Sequence, residues 1–154
     1  EGKVAIVTGA GSQNEGVGNG RAMAVLFARE GARVLLVDRR IEAAQLTASY
    51  IAEQNGESVP HAADVTAPAA CEQMVAAAIE RWGRLDILVN NVGIGVARTI
   101  ADVSDADWEL QMRVNVTPMR PARPGPGRPP SESKGRPGTS HTPPSTSAPM
   151  RRAG

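Results

Sequence analysis

Cysteines, aromatic residues and long apolar runs are all scarce in this chain, and each scarcity removes a class of protein. One cysteine, Cys71, among 154 residues cannot close an internal disulfide. A disulfide-built scaffold is therefore excluded, and a reducing, cytoplasmic setting is expected. No apolar run approaches the ~18 residues of a membrane-spanning helix, so no membrane partner is expected. No secretory leader is expected, since no h-region is read ahead of the first apolar segment. The chain opens at Glu1 rather than at a methionine, close to that segment, and a short preceding piece is expected. Aromatic residues make up 3%, and Tyr50 is the only tyrosine. Cys71 lies on an apolar helical stripe, where it reads as a small core residue, and no metal site is expected.

Charge is unevenly spread. Residues 1–117 hold 10 Lys and Arg against 15 Asp and Glu, whereas residues 118–154 hold seven basic residues and one acidic. The formal net charge of +1 therefore describes neither segment.

The first segment is organised around residues 4–20, VAIVTGAGSQNEGVGNG. Val4 to Val7 is an apolar, β-branched run that reads as a buried strand. A turn carrying Gly9, Gly11, Gly16 and Gly18 follows at once, and a helical pattern runs from Arg21 to Glu30. Glycine lets a backbone turn sharply and approach a ligand closely, and the unpaired N–H groups and dipole of a helix N-terminus favour an anion. Strand, Gly loop and helix, in that order, suit the pyrophosphate of a dinucleotide; an ordinary flexible turn is the alternative. A second apolar run, Val34 to Val37, ends in Asp38. A carboxylate at that place accepts hydrogen bonds from the adenosine ribose and repels a 2′-phosphate, which favours NAD over NADP. Arg39 and Arg40 keep a phosphate-binding alternative open, and Asp38 can also serve as a helix cap.

Further on, Ile41 to Gln54 has helical spacing, Ser58 to His61 reads as a short strand leading to Asp64-Val65, and Thr66 is a candidate cap for a helix ending at Trp82. Leu85 to Val89 reads as a fourth strand closed by Asn90-Asn91-Val92-Gly93, and Ser104 to Val116 as a last helix. Strands alternating with helices predict an α/β fold: an incomplete, Rossmann-like, doubly wound parallel sheet of about four strands in the order 3-2-1-4. Ligands of such sheets bind at the carboxyl ends of the strands, where the Gly loop, Asp64, Asn90 and Asn91 fall.

These residues resemble the short-chain dehydrogenase/reductase family over Lys3 to Thr117. Thr8-Gly9 with Gly16-Val17-Gly18 is similar to its cofactor loop, Asp64-Val65 to its adenine contact, Asn90-Asn91-Val92-Gly93 to its NNAG motif, and Asn115 to the asparagine of its catalytic tetrad. The resemblance implies hydride transfer between NAD and a small alcohol or ketone, often in a homo-oligomer. It implies a cofactor site at Gly9, Ser12, Gly16, Val17, Gly18, Asp38, Arg39, Asp64, Val65, Asn91, Val92 and Gly93, with Asn115 the one catalytic residue. The chain departs from the family pattern by about three extra residues, 13–15, and by Val92 in place of alanine. It also lacks a Tyr-x-x-x-Lys, since Tyr50 has no lysine four residues on. The family uses that pair, with a serine, as its proton shuttle.

Residues 118–154 carry 10 of the 12 prolines and no Leu, Ile, Val or aromatic residue. Such a composition cannot offset the entropy of ordering, so a disordered tail is expected. Three origins stay open: a native basic linker, a nucleic-acid arm, and an out-of-frame translation of a GC-rich gene. The last is favoured because the pattern ceases inside a helix, and nucleic acid is not expected as a partner because the tail has no Phe, Tyr or Trp to stack on bases. The function expected is NAD-dependent oxidoreduction in a catalytically incomplete fragment. The alternatives are a non-catalytic NAD-binding module and a binding protein whose basic tail engages acidic partners.

Overall fold

In the computed structural model, residues 1–12, 16–99 and 101–119 are described. The tail expected over 118–154 lies outside them from residue 120 onward. Four strands, β1 (Val4–Thr8), β2 (Arg33–Asp38), β3 (Ser58–Ala62) and β4 (Ile87–Val89), form one parallel sheet in the order β3-β2-β1-β4. The helices are α1 (Asn19–Arg29), α2 (Ile41–Glu53), α3 (Pro68–Trp82) and α4 (Asp105–Asn115), and a short 3₁₀ turn covers Thr117–Met119. The fold is the Rossmann-like α/β sheet expected, with the expected strand order.

Burial explains why β1 and β2 show no alternation in sequence. All five residues of β1 are buried, as are Val34 to Val37 of β2. A parallel strand covered on both faces must be apolar on both. Val7, Val34 and Leu36 meet Ala24 and Ala28 of α1 and Ala44 and Ile51 of α2 on one face. On the other, Val4, Ile6, Leu35 and Val37 meet Val65 and Met74 and Ala78 of α3. Two cores thus sandwich the sheet.

Local chemistry moved several element ends. Leu85 and Asp86 stay outside β4 because the Asp86 carboxylate accepts the Val4 N–H at 2.8 Å while its own N–H donates to the Val4 carbonyl at 2.9 Å, a side-chain bridge in place of a ladder. Thr66 does not cap α3. Its hydroxyl donates to Asp64 Oδ1 at 2.8 Å, and the helix starts one residue later from Ala67 with Pro68 in its first turn. Ser104 does cap α4, its Oγ accepting the Asp107 N–H at 3.1 Å. Asp38 is not the cap of α2, a place taken by Arg40.

Ile51 is 1% exposed between α2 and the sheet, whereas Leu46 on the same helix is 47% exposed. Ile51→Ala should cost about 2–5 kcal/mol of stability, and Leu46→Ala within about 0.5 kcal/mol, in urea unfolding.

Candidate functional site

The carboxyl ends of β1, β2, β3 and β4 open into one cleft of about 1140 Å³. It is lined by Gly9, Gly11, Ser12, Gly18, Asn19 and Gly20 from the loop and the start of α1, by Asp38, Arg39 and Arg40 after β2, by Asp64 and Val65 after β3, and by Asn91, Val92 and Gly93 after β4. Leu110, Arg113 and Val114 of α4 form the remaining wall. Ten of the residues singled out from sequence as cofactor contacts are therefore brought together: Gly9, Ser12, Gly18, Asp38, Arg39, Asp64, Val65, Asn91, Val92 and Gly93.

Gly16, Val17 and Asn115 are not in that lining. Val17 is 72% exposed, and the Gly16 carbonyl is drawn off by Ser12 Oγ at 2.6 Å and Arg21 Nη1 at 3.3 Å. The glycines that meet the end of β1 come later. Gly18 is the N-cap residue of α1, and a Cβ built on Gly20, in the first turn, would land on the Gly9 carbonyl and 2.6 Å from Asn91 Nδ2. Gly20 was missed because the helical pattern reads from Arg21, two residues after α1 begins, and the family's glycine spacing is already met at Gly16-Val17-Gly18. The signal was available in the spacing Gly18-Asn19-Gly20. Asn19 and Gly20 thus join the site, and Gly9, at φ +65°, makes the turn beneath them.

Asp38 is held on both oxygens. Oδ2 accepts the Gly11 N–H at 3.0 Å and Oδ1 accepts the Arg40 N–H at 3.0 Å. A carboxylate offers about four acceptor positions, so one on each oxygen remains for a ligand. Arg40 spends its guanidinium on the Ser12 carbonyl at 2.8 Å, tying the far side of the loop to β2. Asp64 is exposed, and the Thr66 N–H at 2.9 Å, then its hydroxyl, hold the Asp64 carboxyl below the usual carboxylate range, with Arg39 and Arg113 adding smaller attractions.

Across the cleft, Thr8 and Asn91 fasten β4 to β1. The Thr8 hydroxyl donates to the Val89 carbonyl and accepts the Asn91 N–H, each at 3.0 Å, while Asn91 Nδ2 donates to the Thr8 and Gly9 carbonyls at 3.0 and 3.3 Å. Asn115 is tied to Ile94 alone: its Oδ1 accepts the Ile94 N–H at 2.8 Å and its Nδ2 donates to the Ile94 carbonyl at 2.9 Å. Tyr50 lies on α2 with its ring 5.4 Å from the Arg21 guanidinium, and it does not line the cleft. No group of three or more metal-ligating side chains occurs among the described residues.

A dinucleotide fits these residues. A Cβ at Gly18 would meet only Ser12 Oγ at 3.8 Å and the Gly11 carbonyl at 3.9 Å, so the packing of the fold does not require glycine there. Its absence keeps the mouth of α1 clear for an anion approaching the helix N-terminus.

The sequence profile described as short chain dehydrogenase matches residues 3–121. An uncharacterized oxidoreductase of Thermotoga maritima is 41% identical over 116 residues, which are 75% of this chain and 43% of that protein. A sorbitol dehydrogenase of Cereibacter sphaeroides is 37% identical over 76% of this chain and 43% of its own length. A crystal structure from Burkholderia xenovorans, provisionally assigned as a short-chain dehydrogenase/reductase, superposes with a TM-score of 0.74 at 44% identity, covering 77% of this chain and 45% of that one. The chain thus spans less than half the length of the curated relatives it matches.

Gly20→Ala should destabilise the protein by about 1–3 kcal/mol, because backbone rather than a flexible side chain stands in the way, and Gly16→Ala should stay within about 0.5 kcal/mol; thermal melts of the two variants check this. Thr66→Val should raise the Asp64 pKa part of the way toward its usual value, since the larger cause, the Thr66 N–H, remains. A depressed carboxylate pKa stabilises above the unfolded-state pKa, and that contribution is lost as pH falls through the folded value. The stability difference between wild type and Thr66→Val that arises from Asp64 ionisation should therefore be full at pH 7 and vanish in acid, as followed by carboxyl-carbon NMR titration with parallel denaturation.

Proposed function

Because the chain belongs to the short chain dehydrogenase family, we propose that it binds NAD in this cleft as the dinucleotide-binding part, with its boundary at Thr117, of an oxidoreductase acting on a small alcohol or ketone. The family binds NAD or NADP and acts on small molecules; the preference for NAD is read from Asp38. The observation that carries it is the Asp38 carboxylate, fixed by two backbone N–H groups with one acceptor position left on each oxygen. That arrangement suits the two ribose hydroxyls of NAD, and its charge opposes a 2′-phosphate.

The roles of the other residues follow from their placement. The backbone at Gly18 and Asn19, at the N-terminus of α1, holds the pyrophosphate, with Gly9, Ser12 and Gly20 allowing its approach. Asp64 and Val65 flank the adenine, and Asn91, Val92 and Gly93 form the floor toward the nicotinamide. The bound dinucleotide supplies the hydride acceptor. Asn115 orients the Ile94 backbone rather than carrying a proton, since both ends of its amide are engaged and an amide does not exchange protons near neutral pH. Proton transfer at the substrate oxygen needs a group with an accessible pKa, worth about 10²- to 10⁴-fold in rate. Within these 154 residues no Tyr-x-x-x-Lys is present, and Tyr50 is occupied with Arg21 outside the cleft. We therefore expect binding without turnover from this chain.

Calorimetric titration should show NAD binding more tightly than NADP, and Asp38→Ala should narrow the gap by about 1.5–3 kcal/mol for each hydrogen bond lost to the charged acceptor. NADP binding more tightly than NAD would transfer the role to Arg39, which lines the same cleft. A panel of secondary alcohols should yield no NADH; steady NADH formation would overturn the assignment of an incomplete proton shuttle.

A further inference from the structure

Arg21 is 3% exposed, a guanidinium buried in the third residue of α1, near the helix end whose dipole disfavours a cation. Among the described residues no carboxylate lies within ion-pair distance of it. A buried charge in so unfavourable a place is retained by what it bonds to. Its Nε donates to Thr47 Oγ1 at 3.1 Å, and Thr47, itself fully buried on α2, donates to the Ala10 carbonyl at 2.8 Å. The N–H of that same peptide bond belongs to Gly11 and donates to Asp38 Oδ2 at 3.0 Å. In a trans peptide the C=O and N–H point in opposite directions, so the Ala10–Gly11 peptide is gripped from two sides. The result is one line of hydrogen bonds: Arg21, Thr47, the Ala10–Gly11 peptide, Asp38. Donor follows donor along it, so each bond polarises the next, and the positive end lies opposite the carboxylate.

We propose that Arg21 and Thr47 are positioning residues for cofactor choice: through the Ala10–Gly11 peptide they fix the Asp38 carboxylate in the orientation that selects NAD over NADP. Neither residue is among the described residues that line the cleft, so their effect would pass through the peptide and not through contact with a ligand there. The inference rests on Asp38 reading the ribose, and the two ideas fail separately. Thr47→Val keeps the shape of the side chain but removes both the donor to Ala10 and the acceptor for Arg21. Thr47→Ser keeps both.

The experiment uses the full chain and three readouts: NAD and NADP dissociation constants by calorimetry, hydrogen exchange of the Gly11 amide, and a thermal melt. In Thr47→Val the NADP-to-NAD ratio of dissociation constants should fall about fivefold to tenfold and Gly11 exchange should accelerate, with Thr47→Ser restoring both. Arg21→Lys, which loses the Nε donor but keeps a buried cation on a similar stem, should shift the ratio in the same direction and serves if the valine variant does not fold. An unchanged ratio in a folded Thr47→Val or Arg21→Lys protein overturns the inference. A wild-type chain that binds neither dinucleotide, or prefers NADP, overturns the reading of Asp38 on which it rests.

Discussion

The contact on which the rest of this structure depends is that of the first turn of α1 with the end of β1. Gly20 faces the Gly9 carbonyl so closely that no side chain fits between them. Helix and strand can approach to this distance only where one of them lacks a Cβ. The approach sets where α1 begins and aims its N-terminus at the space above the sheet. It also sets the span that residues 10–18 must bridge. Thr8 and Asn91 meet the same point from the other side and bring the end of β4 to it. Three chain segments therefore converge at Gly9, and the cleft is the space that their convergence leaves.

Around that point the polar interactions share a feature. Nearly every one that shapes the cleft joins a side chain to backbone: Asp38 to Gly11 and Arg40, Thr47 to Ala10, Arg40 to Ser12, Asn115 to Ile94. Backbone groups in a loop have no ladder to satisfy them, and an unpaired buried polar group costs more than a hydrogen bond contributes. The site is held by side chains that repair this deficit, and no buried side-chain nitrogen or oxygen among the described residues is left without a partner.

Much of the fold was legible because apolar runs and helical spacing report burial directly. The unbroken Val4–Val7 and Val34–Val37 runs mark doubly covered strands, and the stripes on α2 and α3 mark their buried faces. The strand order follows from crossover rules that are nearly independent of side-chain detail. The site was less legible for two reasons. The loop is longer than its pattern, and where spacing pointed to Gly16-Val17-Gly18 the cleft is lined by Gly18-Asn19-Gly20. Thr47 and Arg21 carry no pattern of their own, since a threonine on α2 and an arginine on α1 acquire meaning only when the fold brings these residues, 26 positions apart in sequence, to 3.1 Å. Thr66 shows the same limit at short range, where the hydroxyl, instead of accepting a helix N–H as a cap, turns to donate to a carboxylate two residues away.

Helix α4 has no buried residue, and Trp108 is 52% exposed upon it. What holds it to the loop after β4 is polar: Asn115 to Ile94, Gln111 to the Val96 N–H at 3.3 Å, and Arg98 to Asp107 at 3.5 Å. A helix with no buried residue is the kind of element that opens locally at a lower free energy than the sheet needs to unfold. Since Leu110, Arg113 and Val114 form one wall of the cleft, opening of α4 and loss of that wall are one event. Any ligand seated against it then raises the local opening energy of α4 by the free energy of its own contacts there, and amide protection along residues 105–115 becomes a direct gauge of occupancy.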